Sequence, residues 1–333
     1  MFSLINHNSF GIDAKTENFI ELKSDDEIDK IFETFNWETK FFILGGGSNV
    51  LFTDHYDGTI IHVNNKGKSI IEESENDLLI EVAAGEVWED FVEWAVKNRY
   101  YGAENLALIP GQCGSAPVQN IGAYGLEAKD IIHSVNFREI PSGAKKTILA
   151  NECNFAYRDS IFKNELKNRA LITSVVFKLS KRPSSNVTYR SLKEAFEKKN
   201  ISNPTPEQIY QTVVDIRREK LPDHREIGNG GSFFKNPVIS QEKFSKLLEQ
   251  YPDLVHWKVD NGKYKLASAQ LIDKCGWKAY RNGDAGVHPK QALVLVNYGN
   301  ASGSEIWNMA KKIQADVLKN FGVSIEPEVI ILP

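Results

Sequence analysis

One segment of the chain, Pro110–Gly125 (PGQCGSAPVQNIGAYG), restricts the possible folds more than any other. It contains four glycines and two prolines in 16 residues, a composition that suits neither a helix nor a strand. Irregular loops of this length are uncommon inside a compact domain, and they usually have a function. We therefore expect the loop to lay its backbone against a planar or phosphorylated ligand, with a packed Ω-loop as the alternative.

A second glycine segment, Gly45–Asn49 (GGGSN), lies between two apolar runs, Phe41–Leu44 and Val50–Phe52. Consecutive glycines let successive backbone N–H groups point into one concavity, which suits a phosphate or pyrophosphate. A P-loop is disfavoured because no lysine follows, and Val50 stands where a Rossmann fingerprint needs its third glycine. A simple turn between two strands is the alternative for this segment alone. Together, the two glycine segments favour a large dinucleotide-like cofactor that is held by main-chain groups.

The composition is that of an ordinary folded protein with two or three domains. Hydrophobic residues make up 41% of the 333 residues and charged residues 25%, which excludes disordered and collagen-like classes. The formal net charge is −4, from 40 basic and 44 acidic residues, without a long run of one sign. This balance argues against a protein that binds nucleic acid or anionic membranes. It does not exclude a single anionic small molecule.

The cysteines, the histidines and the apolar runs give further expectations. The three scattered cysteines form no CxxC pair and the seven histidines form no HxxxH pair, so we predict no metal site, redox dithiol or disulfide framework. The N-terminus has no signal-peptide pattern, and no apolar run approaches the ~20 residues that span a bilayer. We therefore expect a cytoplasmic protein. We also expect a monomer, because no segment has the pattern of an exposed apolar patch.

Hydrophobic periodicity predicts an α+β fold, with runs of strands and segregated helices. Ser24 or Asp25 is expected to begin a first helix, which ends near residue 35. The remaining predicted helices cover 86–98, 205–219, 240–250, 266–275 and 303–321, and the predicted strands cover 18–22, 41–44, 50–52, 58–63, 77–84, 132–140, 169–179 and 323–332.

Three further segments carry side chains that could take part in chemistry. Arg158 offers a planar fork for a carboxylate, although a surface pair with Asp159 is the default interpretation. Ser232 follows glycines and precedes two aromatics, so it could be a nucleophile, a proton donor or a helix cap; a GxSxG hydrolase motif is absent. Glu326 and Glu328 would share one face of a terminal strand, unless that tail is frayed and solvated.

A local basic cluster is a candidate for diphosphate binding in this otherwise acidic chain. It consists of Arg217, Arg218 and Lys220, with Lys235 later in the sequence. Positive charges gathered in one place attract a polyanion even when the net charge of the protein is negative. A charged helix end is the alternative.

Taken together and in this order, five segments resemble those of a family of bacterial flavoenzymes, the UDP-N-acetylenolpyruvoylglucosamine reductases (UDP-N-acetylmuramate dehydrogenases). The segments are ILGGGSNVLF, IPGQCGSAPVQNIGAYG, YRDSIFK, GGSFFKNP and EPEV. The match runs over nearly the whole chain, from Asn8 to Glu328. Val187–Leu192 is similar to the tyrosine-bearing loop of the longer of the two types within this family.

The resemblance implies a fold of the vanillyl-alcohol-oxidase type, which is α+β and consists of three parts. These would be an FAD-binding subdomain over 1–65 joined by strand 325–333, a second FAD-binding subdomain over 66–218, and a UDP-sugar-binding domain over 219–324.

The resemblance also implies a reaction. NADPH would reduce non-covalently bound FAD, and UDP-N-acetylglucosamine enolpyruvate would then accept a hydride from flavin N5 at C3, giving UDP-N-acetylmuramate for peptidoglycan synthesis. Arg158 and Glu328 would hold and polarise the substrate carboxylate, where negative charge develops. Ser232 would deliver the proton to C2.

Ligand contacts follow from the same resemblance. Tyr189, Lys220, Asn236 and Gln291 match positions that contact the UDP-sugar, with Arg217 as a neighbour. The cofactor contacts would come chiefly from the backbone of Gly45, Gly46, Gly47, Ser48, Asn49, Pro110, Gly111, Gly114, Ser115, Asn120, Ile121, Gly122, Ala123, Tyr124 and Gly125. The chain departs from the family at Ile330, where members commonly carry a basic residue, so a contact from that position is in doubt.

Two other classes of protein are compatible with these motifs. One is a different FAD oxidase or dehydrogenase, which could attach its flavin covalently; Cys113 is the cysteine within the glycine segments that could serve. The other is a non-catalytic nucleotide-binding module, which would bind the UDP-sugar without consuming NADPH.

Overall fold

The structure is a computed structural model that describes residues 1–184, 186–259 and 262–333. The chain divides into two compact units. The first unit comprises Met1–Thr16, Gly47–Asp57 and Lys220–Pro333, and the second comprises Glu17–Gly46 and Gly58–Glu219. The three-part division implied by the family resemblance stays a prediction.

Short strands and a smaller number of helices alternate irregularly along the chain, which confirms the predicted α+β class. The strands are β1 (Phe2–Ser3), β2 (Lys15–Leu22), β3 (Phe41–Leu44), β4 (Val50–Phe52), β5 (Tyr56–Val63), β6 (Lys68–Glu73), β7 (Asp77–Ala83), β8 (Gly122–Ala123), β9 (Leu126–Glu127), β10 (Ile132–Glu139), β11 (Lys145–Leu149), β12 (Ala170–Ser180), β13 (Gly228–Ser232), β14 (Val238–Ile239), β15 (His256–Val259), β16 (Lys263–Leu266), β17 (Arg281–Asn282), β18 (Ala285–Val287), β19 (Val294–Asn297) and β20 (Ile330–Leu332). The α-helices are α1 (Asp25–Thr34), α2 (Trp88–Lys97), α3 (Arg190–Lys198), α4 (Pro206–Lys220), α5 (Gln241–Gln250), α6 (Ser268–Lys274) and α7 (Gly303–Phe321).

A five-stranded antiparallel sheet with the order β11-β10-β12-β7-β6 forms the centre of the second unit. Alternate residues of β7 are buried, as expected of a strand with one face on the core. In α2, apolar residues recur at helical spacing, and those that are buried include Trp88 and Phe91. The rings of these two residues lie 5.6 and 4.8 Å from that of Phe177 on β12. This aromatic contact fixes α2 against the sheet.

The Gly45–Asn49 segment begins at the end of a parallel strand pair in the same unit. Strand β3 pairs in parallel with β5, from Phe41 opposite Thr59 to Leu44 opposite His62. The chain then leaves β3 directly into Gly45. The glycine segment therefore starts at the carboxyl end of a paired strand, where its backbone is held in place.

The first unit contains an antiparallel sheet with the order β13-β19-β18-β17, and α7 packs against β18 and β19. Helix α7 begins with a capping box between Ser302 and Glu305, and it ends at Gly322, whose φ of 61° is left-handed. These are the usual start and stop signals of a helix. Strand β20 pairs in parallel with β4, so the last strand of the chain lies beside the segment that follows Asn49.

The predicted elements agree with the structure in most places. The helix predicted over 303–321 has these bounds, and the Ser24 side chain accepts a hydrogen bond from the Glu27 backbone as the N-cap of α1. The terminal strand predicted over 323–332 is wrong in length, because only Ile330–Leu332 forms a strand. The segment around Pro327 forms only an isolated bridge to Phe234, in which the Lys235 N–H donates to the Glu326 carbonyl and the Glu328 N–H donates to the Phe233 carbonyl. Among the described residues, no helix is long and apolar enough to cross a membrane.

Candidate active site

The two glycine segments meet within the second unit. A Cβ on Gly45 would lie 3.2 Å from Gln112 Oε1, and a Cβ on Gly46 would lie 3.2 Å from the Gly111 Cα. Such distances are shorter than ordinary carbon contacts, so the absence of side chains is what allows the two backbones to approach. The structure thus brings together Gly45, Gly46 and the start of the Pro110–Gly125 loop, as a shared cofactor site requires.

The glycine contact also contains a buried acceptor, the side-chain carbonyl of Gln112. Gln112 is 7% exposed, and its Oε1 has no hydrogen-bond partner among the described residues. An unpaired buried carbonyl is costly, and most such groups in folded proteins find a donor. A ligand with N–H or O–H groups would supply that donor. A cradle of glycine backbone beside this acceptor fits a flavin adenine dinucleotide, which carries both phosphates and donors. Gln112 lies inside the predicted loop, but no spacing pattern in the sequence singles it out.

Cys113, the residue considered for covalent attachment of a flavin, is fully buried. Burial raises the pKa of its thiol strongly, with the nearby charge of Glu86 as a smaller cause. A protonated and inaccessible thiol is a poor nucleophile. The geometry therefore favours a cofactor that is bound without a covalent bond at this position.

The second half of the loop is fastened by Asn120, which is completely buried. Its amide nitrogen donates to Glu127 Oε2 at 2.9 Å and to the Ala156 carbonyl at 3.0 Å, and its Oδ1 accepts from the Lys129 backbone at 3.0 Å. The side chain is thus fully used inside the protein. Any contact of Asn120 with a cofactor would come from its backbone.

Arg158 lies against this same half of the loop. Its guanidinium donates to the Gly122 carbonyl at 2.9 Å and to the Asn120 carbonyl at 3.5 Å, and its centre is 5.4 Å from the ring centroid of Tyr157. Its backbone φ is 56°, a left-handed conformation that a non-glycine residue adopts at a cost and that is enriched at functional sites. The carboxylate of Asp159 accepts from the Ser160 backbone and from the Asn164 side chain.

Three predicted ligand residues from different segments converge near the end of the loop. The rings of Tyr124 and Tyr189 are 5.4 Å apart in an edge-to-face arrangement. Arg217 on α4 hydrogen-bonds the Tyr124 side chain, and its Nε donates to the Leu108 carbonyl at 3.2 Å. Burial lowers the pKa of Arg217 and raises the pKa of Tyr124. Arginine stays charged even so, and a cation thus lies beside Tyr124, whose ring contacts that of Tyr189.

The first unit brings together Ser232, Glu328 and Asn49. The Glu328 backbone N–H donates to the Phe233 carbonyl at 2.7 Å. Glu328 therefore lies next to the residue that follows Ser232. The Asn49 side chain donates to the Glu328 carbonyl at 3.2 Å, and the Asn49 carbonyl accepts from the Ile330 backbone at 2.9 Å. Gly47 and Ser48 belong to this unit as well. A side chain at Gly47 is excluded, because its Cβ would collide with the His7 carbonyl.

Ser232 is the last residue of β13, and its side chain is exposed. Gly231 before it has a φ of 68°, and Phe233 after it is fully buried. Over residues 1–184, 186–259 and 262–333, no hydrogen bond involves its hydroxyl, which caps no helix there. The interpretation of Ser232 as a capping residue is therefore wrong, and its hydroxyl is available to a ligand.

The remaining predicted substrate residues are placed in the first unit. Asn236 Oδ1 accepts from the Ser268 backbone at 3.0 Å, and Gln291 Oε1 accepts from the Leu293 backbone at 3.3 Å. In both residues the oxygen is thus held by the protein, which orients the amide nitrogen. Lys220 is exposed at the end of α4.

Comparisons with known proteins identify the cofactor class and the family of this chain. A family model described as an FAD binding domain matches residues 16–144, and one described as the C-terminal domain of UDP-N-acetylenolpyruvoylglucosamine reductase matches residues 222–332. A UDP-N-acetylenolpyruvoylglucosamine reductase of Flavobacterium johnsoniae is 47% identical over 99% of this chain and 98% of its own length. One of Chromobacterium violaceum is 43% identical over 98% and 96%. The crystal structure of the Thermus caldophilus enzyme of that name, 21% identical, superposes with a TM-score of 0.70 and covers 99% of this chain and 97% of its own.

The match to an FAD binding domain and the full-length relatives show that this chain is an FAD-dependent oxidoreductase. More closely, the chain belongs to the family of UDP-N-acetylenolpyruvoylglucosamine reductases, as its motifs predict.

Proposed function

We propose that this protein reduces UDP-N-acetylglucosamine enolpyruvate to UDP-N-acetylmuramate, with NADPH as the reductant and FAD as a non-covalent cofactor. The observation that supports this proposal most is the close contact of Gly45 and Gly46 with Gly111 and Gln112. This contact occurs in a chain that matches a UDP-N-acetylenolpyruvoylglucosamine reductase over 99% of its length. When bound, FAD accepts electrons from NADPH and supplies a hydride to C3 of the enolpyruvyl group. The cytoplasmic location and the monomeric state stay predictions.

Arg158 is proposed to hold the substrate carboxylate. Hydride addition at C3 moves negative charge toward that carboxylate, so a cation placed there stabilises the transition state more than the ground state. The guanidinium already rests on the carbonyls of Gly122 and Asn120, which fix its plane. A fixed planar fork needs little reorganisation when a carboxylate arrives. Glu328 is proposed to orient or polarise the same group.

Ser232 is proposed to deliver the proton to C2. An alcohol is a weak acid, but it is adequate for a transient carbanion, and solvent can restore its proton. Exposure of the side chain and the absence of an internal hydrogen bond in the described chain suit this task. A positioned proton donor contributes roughly 10²–10⁴-fold to the rate.

Tyr189, Arg217, Lys220, Asn236 and Gln291 are proposed to bind the UDP-sugar. Arg217 and Lys220 supply positive charge for the diphosphate, which main-chain groups alone would neutralise poorly. The oriented amides of Asn236 and Gln291 can donate hydrogen bonds to sugar or uracil oxygens. Tyr189 offers an aromatic face and a hydroxyl.

A spectroscopic titration tests this function. The purified protein should show flavin absorption that bleaches with anaerobic NADPH and returns when UDP-N-acetylglucosamine enolpyruvate is added. A protein that is colourless after incubation with FAD would contradict the cofactor. Bleached flavin that the enolpyruvyl sugar does not reoxidise would contradict the substrate. Tight binding of the sugar without NADPH consumption would support the non-catalytic module instead.

A further inference from the structure

Strand β13 contains a bulge immediately before Ser232. Asn229 lies opposite Val296 on β19, and Ser232 lies opposite Val294. Strand β13 therefore advances three residues while β19 advances two, which is the definition of a β-bulge. A bulge bends its strand and changes the direction of the side chains that follow. The direction of the Ser232 hydroxyl accordingly depends on how the bulge is held.

The side chain of Asn229 holds this bulge in place. Asn229 is 5% exposed, and its Oδ1 accepts a hydrogen bond from the Gly231 backbone at 2.9 Å. Its amide nitrogen donates to the carbonyls of Ile227 at 2.8 Å and Pro222 at 3.3 Å. One side chain thus links the residue before Ser232 to the segment that leads into β13.

The backbone of Asn229 is fixed as firmly as its side chain. Its N–H donates to the Ser9 carbonyl at 2.9 Å, and its carbonyl accepts from the Ser9 hydroxyl at 2.6 Å. Phe10 closes the other side, since a Cβ on Gly230 would lie 2.6 Å from its ring. In contrast, a Cβ on Gly231 would meet no atom of the described residues within 4 Å. Packing therefore does not restrain Gly231, and the Asn229 side chain supplies the restraint.

We infer that Asn229 is a positioning residue for Ser232: its side chain fixes the bulge that aims the hydroxyl at its reaction partner. The inference rests on the proposed role of Ser232 as the proton donor. Proton transfer requires hydrogen-bond reach, and a misplacement of about 1 Å can lower a rate by roughly 10²-fold. Asn229 itself does not transfer a proton.

Asn297 provides a matched control on the neighbouring strand. It is 4% exposed, and its Oδ1 accepts from the backbones of Gly299 at 2.9 Å and Ala301 at 3.0 Å. Its amide nitrogen donates to the Phe10 carbonyl at 2.9 Å. Asn297 thus has the residue type, the burial and the number of side-chain hydrogen bonds of Asn229. None of its side-chain bonds is made to a residue of the bulge, and its bond to Phe10 goes to the carbonyl rather than to the ring that faces Gly230.

The experiment measures both half-reactions of the flavin-bound enzyme by anaerobic stopped-flow absorption. Asn229→Ala should slow reoxidation by UDP-N-acetylglucosamine enolpyruvate by about 10–100-fold, and it should leave reduction by NADPH within about twofold. The solvent deuterium isotope effect on reoxidation should increase, because proton transfer becomes slower. Asn297→Ala should lower the melting temperature by a similar amount and leave both half-reactions within about twofold.

Equal slowing of both half-reactions in Asn229→Ala would overturn the inference, and so would an equally selective effect of Asn297→Ala. If Asn229→Ala does not retain flavin, Asn229→Asp replaces it, because the carboxylate keeps an acceptor for the Gly231 N–H. The rate of reoxidation in Asn229→Asp is then expected to stay within about threefold of wild type, despite lower stability. A decrease in that rate as large as the one in Ser232→Ala would contradict the inference. Unchanged reoxidation in Ser232→Ala would contradict the proposed role of Ser232 as proton donor, and this outcome is distinct from those that contradict the role of Asn229.

Discussion

At the scale of single residues, the proposed mechanism separates into groups that hold charge and a group that moves a proton. Arg158 adopts a left-handed backbone conformation and rests on the carbonyls of the glycine loop. Ser232 is exposed beside two buried aromatics. A substitution of Arg158 would remove a fixed cationic fork, whereas a substitution of Ser232 would remove a hydroxyl proton. The two roles can therefore be tested independently.

Ser232→Ala should slow reoxidation of the reduced flavin by the enolpyruvyl sugar by roughly 10²–10⁴-fold, because solvent replaces a positioned proton donor. Reduction by NADPH precedes proton delivery, so its rate should stay within about twofold and serves as the internal control. Stopped-flow absorption at the flavin band measures both rates. Unchanged reoxidation would show that Ser232 is not the donor.

Arg158→Lys should lower kcat/KM for the enolpyruvyl sugar by roughly 10²–10³-fold, although the positive charge is kept. Lysine is a point charge without a planar fork, and it cannot rest on the Gly122 carbonyl and present a second pair of donors in the same way. Steady-state assays with NADPH in excess measure the change. Arg169→Lys, at an exposed position, should have no such effect; a decrease of less than about threefold in Arg158→Lys would count against the role.

At the scale of elements, the contact of the two glycine segments carries the cofactor assignment. Gly46→Ala would place a methyl group 3.2 Å from the Gly111 Cα, and backbone cannot rotate away as a side chain can. Overpacking of this kind costs about 1–3 kcal/mol, so FAD affinity should decrease roughly 5- to 150-fold. The fluorescence of released flavin measures the FAD affinity.

The control for this substitution is Gly299→Ala, whose Cβ would meet only the carboxylate of Asp284 at 3.2 Å. That contact is with a side chain and involves neither glycine segment, so flavin affinity should not change. Wild-type flavin affinity in Gly46→Ala would show that the close approach of the two segments is not needed to hold the cofactor.

Periodic elements could be predicted from the sequence because their apolar spacing records which face is buried. Helix α7 has its predicted bounds for this reason. Helix α3 was missed, since its buried residues are Leu192 and Phe196 alone. Strand β6 was missed because every residue in it is exposed, which leaves no alternation to detect. The terminal strand was predicted too long because the segment around Pro327 makes only an isolated bridge to Phe234, and the continuous strand covers Ile330–Leu332.

The candidate site was predictable to a different degree at each residue. The glycine segments stand out by composition, whereas the roles of Arg158, Ser232 and Glu328 came from a family resemblance. Gln112 and Asn229 could not be singled out. Each is one amide side chain inside a loop or a glycine-rich strand, and its importance lies in hydrogen bonds that exist only in the folded chain.

At the scale of the whole molecule, a buried histidine makes stability depend on pH. His288 is 8% exposed, and its Nδ1 has no hydrogen-bond partner in the described chain. Burial lowers its pKa below the usual 6.5, and the charge of Lys290 adds to this. The unfolded state therefore takes up a proton more readily than the folded state. The stability is fully present above pH 6.5 and is lost as the pH falls below that value toward the lower folded pKa.

Urea unfolding at pH 7.5 and 5.5 tests this dependence. Wild type should lose more unfolding free energy between the two pH values than His288→Gln, which cannot take up the proton. His133→Gln, at an exposed position, should behave as wild type. An equal loss in wild type and His288→Gln would show that His288 is not the group responsible.

The identity of the product tests the central claim most directly. The protein is incubated anaerobically in D₂O with NADPH and UDP-N-acetylglucosamine enolpyruvate, and the sugar nucleotide is analysed by mass spectrometry and NMR. We predict UDP-N-acetylmuramate with deuterium at C2 in a single configuration, because one positioned group delivers that proton. Recovery of the unchanged enolpyruvyl sugar from flavin-loaded protein would contradict the proposed reaction, and deuterium at C2 in both configurations would contradict a positioned donor.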